Sequence, residues 1–230
     1  MNAAPQATLD TDVPATVSVL ATLRADVVSG YLRPGDQVVQ ERLAERYGVS
    51  RAPLREALRL LESEGQVIHE PNRGYFVTQL SVSDLQEVYR LRALLEAEAI
   101  TEAVSRLSPA DLDAIAALAA DVQDASWQAD LARLTDANRN FHFAIFEASG
   151  MPRLVRLLRQ LWDATDAYRA VYFDDAVNRD RVEHEHDVIV GALRAGDCAG
   201  VIEAHAAHRA NSATTVSALL NGRSRPAETA

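Results

Sequence analysis

The chain has 230 residues, 48% hydrophobic and 24% charged, which excludes a mostly disordered protein and allows one large domain or two small ones. Its 23 basic residues face 33 acidic ones, for a net charge of −10, and every basic residue is arginine, the side chain suited to planar, bidentate anion contacts. No apolar run approaches the ~18 residues of a membrane span, the start carries Asp10 and Asp12 rather than a signal peptide, and a lone Cys198 makes no internal disulfide; a cytoplasmic protein is expected.

The charge is unevenly distributed. Residues 14–80 hold eight arginines against eight acids and are neutral, whereas fifteen arginines against twenty-three acids make the chain from Ser81 onward strongly acidic. This asymmetry predicts two modules with different partners. The expected division is a tail over 1–13, a first domain over 14–80, a second over 84–220 and a tail over 221–230.

In the first module Leu20, Leu23, Val27 and Val28 mark an amphipathic helix over 15–29, stopped by Gly30. A short helix follows over 40–47, with Leu43, Ala44 and Tyr47 inward and Gly48 as its stop. Ser50 is placed as the N-cap of a third helix whose inner stripe is Leu54, Ala57, Leu58 and Leu61. Two short strands, 67–69 and 75–77, then flank the turn-forming Pro71, Asn72, Arg73 and Gly74. Two helices around a Gly-containing turn, followed by a hairpin, predict a winged helix-turn-helix. Arg51, Arg55 and Arg59, four residues apart, run along one edge of the third helix, the geometry of a helix presented to a DNA groove. Arg73 stands at the wing tip. The alternative at this point is a solvated face on which Glu56 and Glu62 pair with those arginines.

The segments Tyr31-Leu32-Arg33-Pro34-Gly35-Asp36, Leu43-Ala44 and Gly48-Val49-Ser50-Arg51-Ala52-Pro53-Leu54-Arg55-Glu56-Ala57-Leu58, with Leu61, Gly65 and Asn72-Arg73-Gly74, resemble the DNA-binding domain of the GntR family of bacterial transcription regulators. The resemblance implies contact with double-stranded operator DNA by Ser50, Arg51, Arg55 and the wing at Arg73 and Gly74, with Arg59 on the same helix. One departure is Glu41, where a better-studied member has Arg; the neighbouring Arg42 is the expected substitute.

The second module shows almost no strand signal. Six helices are predicted, over 83–107, 109–126, 129–149, 151–173, 178–195 and 198–220, as an antiparallel all-α bundle with short loops. The protein is thus expected to be mainly α. Five of its six histidines lie in this bundle, and helical phase turns His142 and His186 inward, His184 away, and lets His205 and His208 approach the interior. Three imidazoles meeting in a core suit Zn or Ni with open coordination positions; unrelated buried histidines are the alternative.

Arg92 and Glu96, Asn138-Arg139-Asn140-Phe141-His142, Glu185-His186-Asp187-Val188-Ile189, Ala192-Leu193-Arg194-Ala195-Gly196-Asp197 and His208 resemble the ligand-binding FCD domain of the FadR-type GntR branch, in its shorter six-helix subgroup. The resemblance implies a divalent transition metal, Zn or Ni, on Asn138, His142, His186 and His208, since metal-binding members carry Asp or Asn and three His at these positions. Because Asn138 is neutral, the site would keep a full positive charge, which favours a small carboxylate effector clamped by Arg92 or Arg139. The expected protein is a homodimeric repressor whose operator binding answers that carboxylate, with a twofold axis matched to two half-sites. A metal-dependent hydrolase or lyase built on the three histidines is the competing expectation; it lacks a carboxylate placed as general base.

Overall fold

The computed structural model describes residues 15–223; the expected N-terminal tail and most of the C-terminal one lie outside these described residues. Ten helices and three short strands are found among them, and the chain divides into two compact units between Gln79 and Leu80.

The first unit opens with α1 (Ala15–Val28). Its buried face is Val19, Leu23 and Val27, so the stripe expected from Leu20 and Val28 is rotated by about one residue. The cause is Asp26, which is buried on that face and accepts hydrogen bonds from Tyr47 Oη at 2.6 Å and Arg46 at 3.1 Å. A hydrophobicity pattern cannot register a carboxylate that enters the core with its donors. Burial, then the Asp26 hydrogen bond, pushes the Tyr47 phenol far up, so it stays a neutral donor to Asp26.

Helix α2 (Gln40–Tyr47) ends at Gly48, whose φ of +66° is the left-handed C-cap that favours glycine. Helix α3 (Arg51–Ser63) buries Leu54, Ala57, Leu58 and Leu61 completely. At about 1.5–3 kcal/mol per large apolar side chain, these contacts fix which edge of α3 stays in water. Ser50 occupies the N-cap position, yet its hydroxyl makes no cap hydrogen bond. Strands β2 (Val67–Glu70) and β3 (Gly74–Val77) form the wing, with Ile68 opposite Phe76 and Glu70 opposite Gly74. A third strand, β1 (Gln37–Val38), pairs with the other edge of β3, giving the antiparallel order β1-β3-β2 where only a hairpin was expected. Two residues are too few to show an alternating pattern.

In the second unit α4 (Val82–Val104) and α5 (Pro109–Trp127) each begin with a Ser–Asp capping box, at Ser81 with Asp84 and at Ser108 with Asp111. After α6 (Leu131–Glu147), the single helix expected over 151–173 is two, α7 (Pro152–Asp163) and α8 (Asp166–Phe173). Among the described residues the bundle therefore has seven helices rather than six. The break has a local cause: the buried Thr165 donates both its amide, at 2.9 Å, and its hydroxyl, at 3.0 Å, to the Trp162 carbonyl. That closes a tight turn in place of continued α-helix. Helices α9 (Ala176–Arg194) and α10 (Cys198–Arg223) complete the unit, α10 running three residues past its expected end.

Candidate metal centre and nucleic-acid interface

The polar edge of α3 is open. Arg51, Arg55 and Arg59 are all exposed, as are Arg42 on α2 and Ser50. Neither Glu56 nor Glu62 holds Arg51; its NH1 instead forms a 3.0 Å ion pair with Glu41 of α2, both side chains being 61% exposed. Glu56 accepts from Thr16 of α1. At the wing, Arg73 is exposed, is paired with Glu70, and lies with its guanidinium carbon 4.9 Å from the Phe76 ring centroid. The Arg73 carbonyl accepts from Gln37, and Gly74 has a φ of +92° that the tight tip requires. Exposed arginines along one helix edge and a wing tip form the footprint of a phosphate-bearing groove.

The second site is buried. His142 of α6, His186 of α9 and His208 of α10 bring ligand-capable nitrogens within 4.8 Å of one another. The Nε2 atoms of His142 and His186 lie 3.3 Å apart. His208 donates from Nδ1 to Glu185 at 2.6 Å, which leaves its Nε2 as the free lone pair. Asn138, one helical turn before His142, is also buried, and its Oδ1 has no hydrogen-bond partner among the described residues, like Nδ1 of His142 and of His186. Burial first, then the neighbouring imidazoles, drives the pKa values of His142 and His186 well below the ordinary 6.5, so both are neutral. Neutral imidazoles and an amide oxygen without partners fit a borderline transition metal.

A fourth imidazole, His205, joins the cluster with its ring centroid 5.1 Å from that of His142. Burial pushes its pKa down to about 3 despite the opposing charge of Glu96, and its Nε2 is also unpartnered. The sequence showed His205 able to face inward, yet gave no reason to group it with the other three. His184 is exposed, as its phase suggested.

Asn138 and His208 open onto a tight cavity, with room for little more than a water molecule, whose wall includes Arg92, Arg169, Arg209, Trp162 and Tyr172. Arg92 and Arg169 place their guanidinium carbons 4.1 and 4.0 Å from the Trp162 ring centroid. Glu96 accepts from Arg92 at 2.9 Å, from Arg209 at 2.5 Å and from Trp162 Nε1 at 3.1 Å. Burial works against its ionisation, but the two arginines outweigh it and hold the carboxyl at about 2. Arg169, fully buried, is lowered to about 10 by that burial, against the partial support of Asp166 at 3.8 Å. Tyr172 is also buried at this cavity wall.

Arg139 stands elsewhere. It is tied to Asp163 at 2.6 Å and Asp166 at 2.8 Å and is not among the residues that line this cavity. The two arginines that do line it beside Arg92, Arg169 and Arg209, were missed because nothing in their local spacing distinguishes them from surface arginines.

Comparison with known proteins assigns both units. The family model described as bacterial regulatory proteins, gntR family, matches residues 15–77, and the FCD domain model matches residues 87–211. The HTH-type transcriptional regulator McbR of Escherichia coli (strain K12) is 32% identical over 192 residues, covering 82% of this chain and 86% of that protein. The HTH-type transcriptional repressor GlaR of the same organism is 29% identical over 190 residues, covering 79% and 86%. The solved structure of E. coli McbR/YncC superposes with a TM-score of 0.75 at 28% identity, over 93% of this chain and all of that one. No described helix is long and apolar enough to cross a membrane. The chain therefore belongs to the gntR family of bacterial regulatory proteins, with an FCD domain as its second unit, and is a DNA-binding transcription regulator rather than an enzyme.

Proposed function

We propose that this regulator is a cytoplasmic homodimeric repressor that holds a divalent transition metal on Asn138, His142, His186 and His208 and releases its operator when a small carboxylate enters the adjoining cavity. The observation that carries this reading is the unpartnered, buried Asn138 Oδ1 beside three converging imidazoles, at the edge of a cavity walled by three arginines. A bound Zn or Ni would supply a concentrated positive charge with open positions for a carboxylate oxygen. Glu185 keeps His208 in the tautomer that presents Nε2, and Arg92, Arg169 and Arg209 supply guanidinium charge that Glu96 only partly offsets. On the DNA side, Arg51 and Arg55 read base edges, while Ser50, Arg42, Arg59, Arg73 and the backbone at Gly74 position the phosphates. The effector acts only to the extent that it binds the DNA-released state more tightly than the DNA-bound one.

The test combines three measurements on full-length protein. Freshly purified protein should contain transition metal by elemental analysis, small carboxylates should raise its melting temperature, and the same acids should weaken its gel shift on its own promoter. Metal-free protein, with no thermal response across a broad acid panel, would refute the sensing site while leaving the DNA-binding assignment intact.

A further inference from the structure

Glu41 is out of place on a surface that meets phosphates. It lies in the first turn of α2, next to the exposed cations Arg42, its neighbour in sequence, and Arg51, its ion-pair partner. A carboxylate about 4 Å from a phosphate costs roughly 1 kcal/mol even in bulk water. Favourable interaction with the start of α2 explains an acid in that turn, but not why its side chain reaches across to α3. An ion pair with both partners 61% exposed contributes little to folding, so stability does not explain the reach either.

Base chemistry does. With NH1 of Arg51 held by Glu41 Oε1 at 3.0 Å, the Nε and NH2 edge of the guanidinium remains as a two-donor fork. Guanine presents two acceptors, N7 and O6, to such a fork in the major groove, and its partner cytosine presents the N4 amino donor. Glu41 Oε2 is the matching acceptor. In a Watson–Crick pair O6 and N4 are hydrogen-bonded to each other, so the acceptor and the donor to be read are adjacent, as the Arg51 and Glu41 head groups are. An A·T pair in the same place would set the adenine amino group against the fork.

We infer that Glu41 and Arg51 act as one reading head for a single G·C base pair in each operator half-site. This rests on the proposed placement of α3 in the major groove and adds a specificity-determining residue from α2. Arg51 donates to the guanine, Glu41 accepts from the cytosine, and their ion pair fixes the register between the two contacts.

Full-length protein is used to select an operator from a randomised duplex library, and competition binding then measures every single-base-pair change for wild type, Glu41→Ala, Arg51→Ala and the double variant. In wild type, one G·C pair per half-site should lose about tenfold or more on substitution. Glu41→Ala should abolish most of that preference while keeping those at the other positions, and the double variant should be no worse there than Arg51→Ala. Melting temperatures should match wild type, both side chains being exposed. If Glu41→Ala instead binds every duplex more tightly by one uniform factor, with base preferences unchanged, Glu41 is only an electrostatic brake and the inference fails. If Arg51→Ala and Arg55→Ala both retain every wild-type preference, the placement of α3 itself fails, and Glu41 with it.

Discussion

The two units solve opposite problems with the same side chain. In the N-terminal unit the arginines that matter, Arg51, Arg55 and Arg73, stand in solvent, and the ion pairs of Arg51 with Glu41 and of Arg73 with Glu70 lie on the surface. In the C-terminal unit Arg92, Arg169 and Arg209 surround a cavity, with Glu96 2% exposed between two of them. A solvent-exposed arginine can be lost from folding at little cost and keeps its charge available for a partner not yet bound. A buried one is bound to its carboxylate by the desolvation that either would suffer alone. Binding and stability should therefore separate cleanly in the first unit and stay coupled in the second.

The strongest way to break this comparison is Glu96→Ala, which strands Arg92 and Arg209 without their shared anion. A loss of about 3–5 kcal/mol in denaturant unfolding is expected; a loss under 1 kcal/mol would show that the buried network is not coupled. The pH dependence follows from the same residue. Its folded pKa of about 2 lies below the ordinary 4.5, so the unfolded chain takes up the proton first. The Glu96 contribution is complete above pH 4.5 and lost as pH falls from there toward 2, and it should vanish from the acid-unfolding profile of Glu96→Gln.

Glu185→Ala sharpens the comparison within the bundle. It removes the acceptor that orients His208 and should weaken metal binding by about 10–100-fold, measured by chelator competition. In the first unit, Arg55→Ala should cost about 1–3 kcal/mol of operator binding and shift unfolding by no more than about 0.5 kcal/mol. A large fall in stability with Arg55→Ala would erase the contrast between the units. The smallest effect is expected for Arg42→Ala: a nearly uniform weakening on all DNA sequences, with the salt-dependence slope reduced by about 1.

Much of the fold was legible because it is written in local periodicity. Leu54, Ala57, Leu58 and Leu61 placed α3, and thereby the outward edge carrying Arg51 and Arg55. Gly48 marked the end of α2. His142, His186 and His208 could be grouped through the resemblance, although they come from three different helices. The errors share a physical origin. The rotated face of α1 and the Thr165 break each depend on a polar group satisfied by a partner distant in sequence or by an unexpected backbone turn. Apolar spacing is blind to such compensation.

Residue order alone thus determined the helices, the wing, the arginine edge and the inward phase of the histidines, because each follows from neighbours within one or two turns. Only the folded chain decided that Arg169 and Arg209 share a cavity with Arg92, that Asn138 Oδ1 is left unpartnered beside the imidazoles, and that Glu41 meets Arg51. Those outcomes are set by packing between separate helices, where charge and desolvation balance over distances that no local pattern encodes.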